Sequence, residues 1–275
     1  MEFLDFKTLR RSSSIELVFP GWKKGERVAF LSPHDDDVLL GAGYLVAATI
    51  QNGGIADVIV FCRGDAGYSS PEEKEGIVTR RKIETVKAYG ELGVSEQNIS
   101  FLNIPDFSLM QYVNREIGLE KGLFDEIIRR FRQTKVSRVV FSSGYFEHWD
   151  HTAVFYTGIY TSPQATDPIL ADLGTPHPIE SYLIYSVWAD FEPTKDEPEG
   201  IRADKGILVR EDLEARIRKA ITAYSSQRKI IQDIVAQRER IKSDEGYLEL
   251  YRNAEVRKPT DFSPYFELLS KCKRV

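Results

Sequence analysis

The chain has 275 residues, of which 42% are hydrophobic and 29% are charged, a composition typical of one large or two small globular domains. Its formal net charge is −5 and its basic residues alternate with acidic ones, so nothing predicts a nucleic-acid-binding face. Two cysteines, Cys62 and Cys272, do not make a disulfide framework. Residues 1–11 do not resemble a signal peptide, and no apolar run is long enough to span a membrane. We therefore expect a cytoplasmic protein with no integral membrane association.

The first half of the chain alternates predicted strands and helices. Short apolar runs bounded by polar or turn residues predict buried strands over residues 27–31, 57–61, 99–102 and 136–141. Between them, apolar residues at helical spacing predict helices over residues 38–50, 72–90 and 119–132. This alternation indicates right-handed βαβ crossovers and predicts an α/β, Rossmann-like three-layer fold with a mostly parallel central sheet.

The second half has fewer regular patterns. It contains a predicted strand over residues 182–187 and a predicted helix with apolar residues every four positions over residues 213–221. Residues 163–180 and 189–205 are rich in Pro, Asp, Gly and Thr, which predicts long loops. Because no repeat, low-complexity tract or clear linker interrupts the sequence, we expect a single domain over residues 1–275.

Two acidic motifs contain three of the four histidines. His-Asp-Asp-Asp at 34–37 follows the first predicted strand, and His-Trp-Asp-His at 148–151 follows the fourth. Topology places both motifs at the same edge of a parallel sheet. Adjacent aspartates repel one another, and a bound divalent cation relieves that repulsion. The alternative is an exposed acidic turn and an unrelated helix start, where Asp150 caps the helix.

The two motifs resemble those of the LmbE/PIG-L family of zinc-dependent N-deacetylases, which carry His-Pro-Asp-Asp-Glu after the first strand and His-x-Asp-His later. The resemblance covers most of the chain, because further segments follow in the family's order: Gly41-Ala42-Gly43, Gly64-Asp65-Ala66-Gly67, Arg81 with Glu84, residues 92–94, 101–102 and 105–106, Lys219-Ala220, and Tyr224-Ser225-Ser226-Gln227. It implies one zinc ion per chain, with three ligands: His34, Asp37 and His151. Two imidazoles and a carboxylate, with one position left to water, suit catalytic zinc better than magnesium.

The resemblance also implies three catalytic residues. Asp36 would be the general base that takes a proton from the attacking water. His148 would be positively charged and would stabilise the oxyanion, and Asp150 would hold it in that form. The implied reaction is hydrolytic removal of an N-acetyl group from an N-acetylglucosamine-type amino sugar.

The first motif departs from the family pattern at two positions. Asp35 stands where the family has proline, and Val38 stands where it has glutamate. Asp35 adds negative charge and is not expected to bind the metal. Val38 removes an acid that could orient a ligand. Neither change removes a ligand or the base, so we interpret the chain as an active enzyme.

Three further residues are candidates for contact with the substrate. Arg63 and Arg81 could bind a carboxylate or phosphate, or they could form salt bridges on the following helix. Tyr145 could stack on a sugar ring. The expected partner is a small amino sugar or another N-acyl conjugate, and because family members are often homo-oligomers the chain could be one too.

Three alternatives remain open from the sequence. The first is an amidase that acts on a different N-acyl conjugate with the same zinc chemistry. The second is a magnesium-dependent phosphotransfer domain that uses residues 35–37 and does not need His34 or His151. The third is a catalytically altered sugar-binding homologue, in which Val38 marks the lost activity.

Overall fold

The computed structural model describes residues 1–193 and 200–273. The strands in chain order are β1 (Glu2–Asp5), β2 (Arg10–Ser12), β3 (Arg27–Ser32), β4 (Ile55–Cys62), β5 (Ile99–Ile104), β6 (Glu116–Ile117), β7 (Glu120–Lys121), β8 (Val136–Ser142), β9 (Ser181–Tyr185), β10 (Lys205–Val209), β11 (Lys242–Ser243) and β12 (Gly246–Asn253). The helices are α1 (Asp37–Gln51), α2 (Ile77–Glu91), α3 (Leu109–Tyr112), α4 (Phe124–Thr134), α5 (Trp149–Tyr156), α6 (Glu211–Ile221), α7 (Arg228–Gln237) and α8 (Ser263–Leu269).

The centre of the molecule is a ten-stranded sheet in the order β2-β1-β10-β12-β9-β8-β3-β4-β5, with β11 paired to β12. The half that runs from β9 to β5 is parallel. The half that runs from β2 to β12 is antiparallel. The predicted α/β fold is therefore confirmed, and its parallel part is the half that carries both motifs.

The sheet is the middle of three layers. Successive side chains of a strand point to opposite faces, and β3 shows this directly. Val28 and Phe30 belong to the core formed with α1, α2 and α6, whereas Ala29 and Leu31 belong to the core formed with α4 and α5. Burial on both faces explains why β3 reads as one continuous apolar run.

Two predicted helices begin later than the sequence pattern indicated. The helix predicted over residues 119–132 begins at Phe124, because the preceding residues form the β6-β7 hairpin. The helix predicted over residues 72–90 begins at Ile77, directly after Gly76, whose φ of 84° belongs to the left-handed region.

The structure describes the first predicted long loop completely and the second one in part. Residues 163–180 include short helical turns, at Ser162–Thr166 and Ala171–Leu173. Of the loop predicted over residues 189–205, the segment 194–199 lies outside the described residues. In the part of the chain that is described, no helix is both long and apolar enough to cross a membrane.

The topology brings the two motifs together. His34 lies just beyond the end of β3, and α5 begins at Trp149, after β8 has ended at Ser142. Strands β3 and β8 are parallel neighbours, so their carboxyl ends open at one edge of the sheet, where ligands bind in such folds.

Candidate metal centre and active-site cleft

The first motif forms a tight turn between β3 and α1. The Ser32 hydroxyl donates to the carbonyl of His34. The backbone N–H of His34 donates to Asp37 Oδ2 over 2.7 Å, and Asp37 is the first residue of α1. The turn thus directs the His34 ring and the Asp37 carboxylate to the same point.

His34, Asp37 and His151 converge, with one donor atom of each lying within 4.8 Å of the other two. Asp37 Oδ2 is 3.2 Å from His34 Nδ1 and 3.2 Å from His151 Nε2. His151 is fully buried, and neither of its ring nitrogens has a hydrogen-bond partner among the described residues. A buried polar group without a partner is costly, and a cation at this point would satisfy it. The donor set suits a divalent transition metal.

The electrostatics of these residues also favour positive charge at the same point. Burial alone would lower the pKa of His34, but hydrogen bonds to Asp150 and Asp37 raise it well above its usual value. Burial alone would raise the pKa of Asp37, but His151 and His34 hold it well below its usual range. A metal ion can replace these protons as the positive partner of the carboxylates.

Two other groups of donors share His34. One adds Cys62 and Asp106, and the other adds His148 and Asp150. Burial raises the pKa of the Cys62 thiol to about 12, and a protonated thiol is a poor ligand. Asp106 already accepts backbone N–H groups over 2.8 and 2.9 Å, as Asp150 does over 2.8 and 3.2 Å. The set with Asp37 and His151 contains no thiol and includes the buried His151 ring, whose nitrogens have no hydrogen-bond partner among the described residues, so it suits a metal best.

Asp36 lies in the wall of a cleft of about 450 Å³, beside this metal-binding set. Its side chain gives no capping hydrogen bond to α1. Burial and then the charges of Asp35 and Asp37 raise the pKa of Asp36 to about 7, against the opposing charge of Arg81. A carboxyl group with a pKa near neutrality is suited to exchange protons with a reacting water.

Arg81 belongs to the protein interior rather than to the substrate surface. Its guanidinium makes a two-pronged ion pair with the buried carboxylate of Asp35, which also accepts from the Thr85 hydroxyl over 3.0 Å. The glycine loop packs closely over it, because a Cβ at Gly67 would lie 2.1 Å from Arg81 Nη1. Arg81 still lines the cleft and lies 3.6 Å from Asp36.

His148 and Asp150 adopt an arrangement other than the expected one. The backbone N–H of Asp150 donates to His148 Nδ1 over 3.1 Å, so that nitrogen is an acceptor and carries no proton. Burial and the charge of His34 lower the pKa of His148, and the attraction of Asp150 does not reverse this. The Asp150 carboxylate instead accepts from the backbone N–H groups of Phe107 and Leu109. The geometry therefore favours a neutral His148 with its proton on Nε2.

The other predicted substrate contacts lie away from the cleft. Arg63 is exposed and pairs with Asp65 over 2.7 Å. Tyr145 lines a separate cavity of about 590 Å³, together with Phe155 and Tyr156. Of the three predicted substrate contacts, the structure brings Arg81 alone to the cleft wall.

Glu147 is a site residue that sequence reasoning did not assign. Its side chain is fully buried, with Oε2 3.4 Å from His151 Nδ1. Its Oε1 accepts from the backbone N–H groups of Val187 and Trp188 over 2.9 and 3.1 Å. The available signal was its position four residues before His151, a spacing that brings side chains together at the start of a helix.

Comparison with known proteins gives a match to one family model. A model of the family described as PIG-L: GlcNAc-PI de-N-acetylase matches residues 29–160. That stretch contains both motifs, so the resemblance stated from the sequence is confirmed. No curated protein sequence matches the chain.

Several solved structures share the fold. The N,N'-diacetylchitobiose deacetylase from Pyrococcus horikoshii has a TM-score of 0.65 and 18% identity, over 83% of this chain and 84% of that chain. GalB, the 4-carboxy-2-hydroxymuconate hydratase from Pseudomonas putida KT2440, has a TM-score of 0.63 and 17% identity, over 86% and 99%. The A40926 pseudoaglycone deacetylase Dbv21 has a TM-score of 0.61 and 18% identity, over 86% and 100%. At such identities the likeness establishes the fold, and one fold supports several reactions.

Proposed function

Because residues 29–160 of this chain match the model of the PIG-L family, we propose that the protein is a metal-dependent hydrolase that removes the N-acetyl group from an amino sugar of the N-acetylglucosamine type. One observation carries the proposal: His34, Asp37 and His151 converge beside the carboxyl group of Asp36 in a single cleft. Two proteins with the same fold bear the name deacetylase, which supports the choice of reaction.

The proposed ligands would hold one Zn²⁺ per chain. His34 and His151 would supply neutral imidazole nitrogens and Asp37 would supply a carboxylate oxygen, a donor set typical of catalytic zinc. When bound there, the ion polarises a carbonyl oxygen and lowers the pKa of a water molecule to about 7.

Asp36 moves the proton in the proposed reaction. Its carboxylate accepts a proton from the water as the water oxygen attacks the acetyl carbon. The same group then delivers that proton to the sugar nitrogen as the C–N bond breaks. The products are a free amine and acetic acid, which releases its proton to become acetate, and Asp36 returns to its starting state.

His148 assists at the carbonyl oxygen. Because Nδ1 accepts from the Asp150 backbone, the proton on Nε2 is available to the substrate. His148 lines the cleft, so its N–H can donate to the carbonyl oxygen as negative charge develops there. This role requires a neutral ring, in contrast to the imidazolium expected from the family pattern.

The decisive experiment combines elemental analysis with an acetate-release assay on N-acetylglucosamine and diacetylchitobiose. We expect about one zinc per chain, in keeping with a single three-ligand site, and acetate release that falls at least about a hundredfold in Asp36→Asn. Asp244→Asn is the matched control, since Asp244 is exposed in the turn between β11 and β12. His151→Ala should lose the metal, whereas His177→Ala should keep it, because His177 belongs to none of the donor groups.

The alternatives predict other outcomes. Zinc without acetate release would favour another N-acyl substrate or a sugar-binding role. A phosphotransfer activity that depends on magnesium and stays fully intact in His151→Ala would favour the phosphotransfer alternative. Absence of zinc after reconstitution would overturn the ligand assignment.

A further inference from the structure

The mouth of the cleft is lined by large apolar side chains that are exposed to solvent. Phe107, Phe146, Trp188 and Ile230 line the cleft and are 66%, 82%, 49% and 39% exposed. They come from four separate segments: the turns after β5, β8 and β9, and helix α7. A cluster of exposed apolar side chains beside a polar site marks a surface that a ligand covers. We refer to these four residues as the apolar rim.

Two rim residues are held in a costly backbone conformation. Phe107 and Phe146 have φ angles of 62° and 50°, a region that bulky residues rarely occupy. Such conformations concentrate at functional sites, where the surrounding structure enforces them. The surrounding structure therefore holds the Phe107 and Phe146 side chains at the mouth of the cleft.

The second motif fixes the rim directly. The Asp150 carboxylate accepts from the backbone N–H of Phe107 over 2.8 Å, and the Phe107 ring centre lies 4.4 Å from that of His148. The Glu147 carboxylate accepts from the backbone N–H of Trp188 over 3.1 Å. Hydrogen bonds and ring contacts therefore connect the rim to the proposed catalytic residues. A group packed on the rim would lie beside the reacting amide.

The cleft wall offers little to a negatively charged substrate. Among the described residues, Arg81 is the only lysine or arginine that lines it, and its guanidinium is buried against Asp35. A phosphate or carboxylate is normally bound by a cation that is free to form two hydrogen bonds with it. The rest of the described wall presents carboxyl groups, imidazoles and Gln227 beside aromatic and aliphatic surface.

We infer that the substrate of this site is an uncharged N-acyl amino sugar that carries an apolar aglycone, and that the aglycone packs on Phe107, Phe146 and Trp188. The inference rests on the proposed function, because it assigns the substrate class of the same site.

The test compares three substrates in the zinc-loaded protein: 4-nitrophenyl N-acetyl-β-glucosaminide, free N-acetylglucosamine and N-acetylglucosamine 1-phosphate. We expect kcat/KM to be about three- to tenfold higher for the aryl glycoside than for the free sugar, the range of effect that one aromatic stacking contact provides. Trp188→Ala and Phe146→Ala should each reduce that ratio severalfold, mainly through KM for the aryl glycoside. Phe266→Ala is the matched control, since Phe266 is 64% exposed on α8, and it should keep the wild-type ratio.

Other outcomes would contradict either the rim assignment or the proposed function. Equal kcat/KM for the aryl glycoside and the free sugar, a preference for the phosphate, or an equal loss in Phe266→Ala would overturn the rim assignment. If no substrate releases acetate, the proposed function fails, and calorimetry then decides about the rim separately. Tighter binding of the aryl glycoside than of the free sugar, lost in Trp188→Ala, would support the rim, and equal binding would overturn it.

Discussion

The ion pair between Asp35 and Arg81 explains how the chain tolerates an aspartate where the family has proline. Three consecutive aspartates are buried here, and their mutual repulsion would be severe without a cation. Arg81 supplies one from α2, and Thr85 on the same helix donates to the same carboxylate. The departure at position 35 is thus compensated by a residue from another element.

Removing Arg81 should therefore cost more than removing both partners. In Arg81→Met, Asp35 is left buried and unpaired, and we expect the free energy of unfolding to fall by about 3–5 kcal/mol. The double variant Asp35→Asn/Arg81→Met should regain part of that loss. Urea unfolding of the three proteins measures both quantities. A double variant no more stable than the single one would contradict this account.

Glu147 should act through His151. Glu147→Gln keeps an oxygen for the backbone N–H groups of Val187 and Trp188 but removes the charge beside His151 Nδ1. Partners of metal-binding histidines typically contribute a factor of about 10–100 in metal affinity. We therefore expect zinc affinity, measured by competition with a chelator, to fall by about that factor while the unfolding midpoint of the metal-free protein changes little. Unchanged affinity would rule out a positioning role, and exposed Glu120→Gln is the control.

At the scale of elements, the parallel half of the sheet was predictable because each of its strands is a local apolar run. The antiparallel half was not predicted, since its pairings join distant parts of the chain: β1 pairs with β10, about 200 residues later. The site divides in the same way. Both motifs lie in local sequence, whereas the contact of Arg81 with Asp35 and the contacts of Glu147 with the backbone at residues 187 and 188 depend on tertiary structure.

The loop after α5 is organised by one side chain. The five N–H groups of Arg132, buried on α4, lie within hydrogen-bonding distance of six backbone carbonyl oxygens between residues 164 and 174, so one N–H is shared between two of them. The predicted long loop is therefore fixed to α4 at its first part.

Replacing that side chain should release the loop. In Arg132→Met the carbonyl groups lose a charged donor, and we expect at least about 3 kcal/mol of destabilisation, since hydrogen bonds to charged groups contribute about 1.5–3 kcal/mol each without adding fully. Limited proteolysis with mass spectrometry should find new cleavage between residues 164 and 174. Partly exposed Arg129→Met, on the same helix, should leave the loop protected. Cleavage elsewhere first would contradict the assignment.

At the scale of the whole molecule, Glu249 should make stability depend on pH. Burial raises its pKa from 4.5 to about 7, against the hydrogen bond from Tyr251. Between these two values the folded protein binds the proton and the unfolded chain does not. Stability from this group is therefore fully present below about pH 4.5 and is lost as pH rises through about 7.

The matching variant is Glu249→Gln, which cannot ionise. We expect the wild type to lose about 2–3 kcal/mol from this group between pH 4.5 and 8, and the variant to lack that contribution. Urea unfolding at several pH values, with exposed Glu245→Gln as the control, measures the difference between the curves. Parallel pH curves for wild type and Glu249→Gln would show that Glu249 does not titrate in this range.

The adjacency of β3 and β8 has a consequence for the life of the protein in a cell. The first motif and His151 lie far apart along the chain and meet only after the two strands have paired. An unfolded chain therefore lacks the proposed site, so zinc would bind the native state alone and would stabilise it by mass action. Under scarce zinc a larger fraction of molecules would open and meet proteases, and supply of the metal would then set the abundance of the protein as well as its activity.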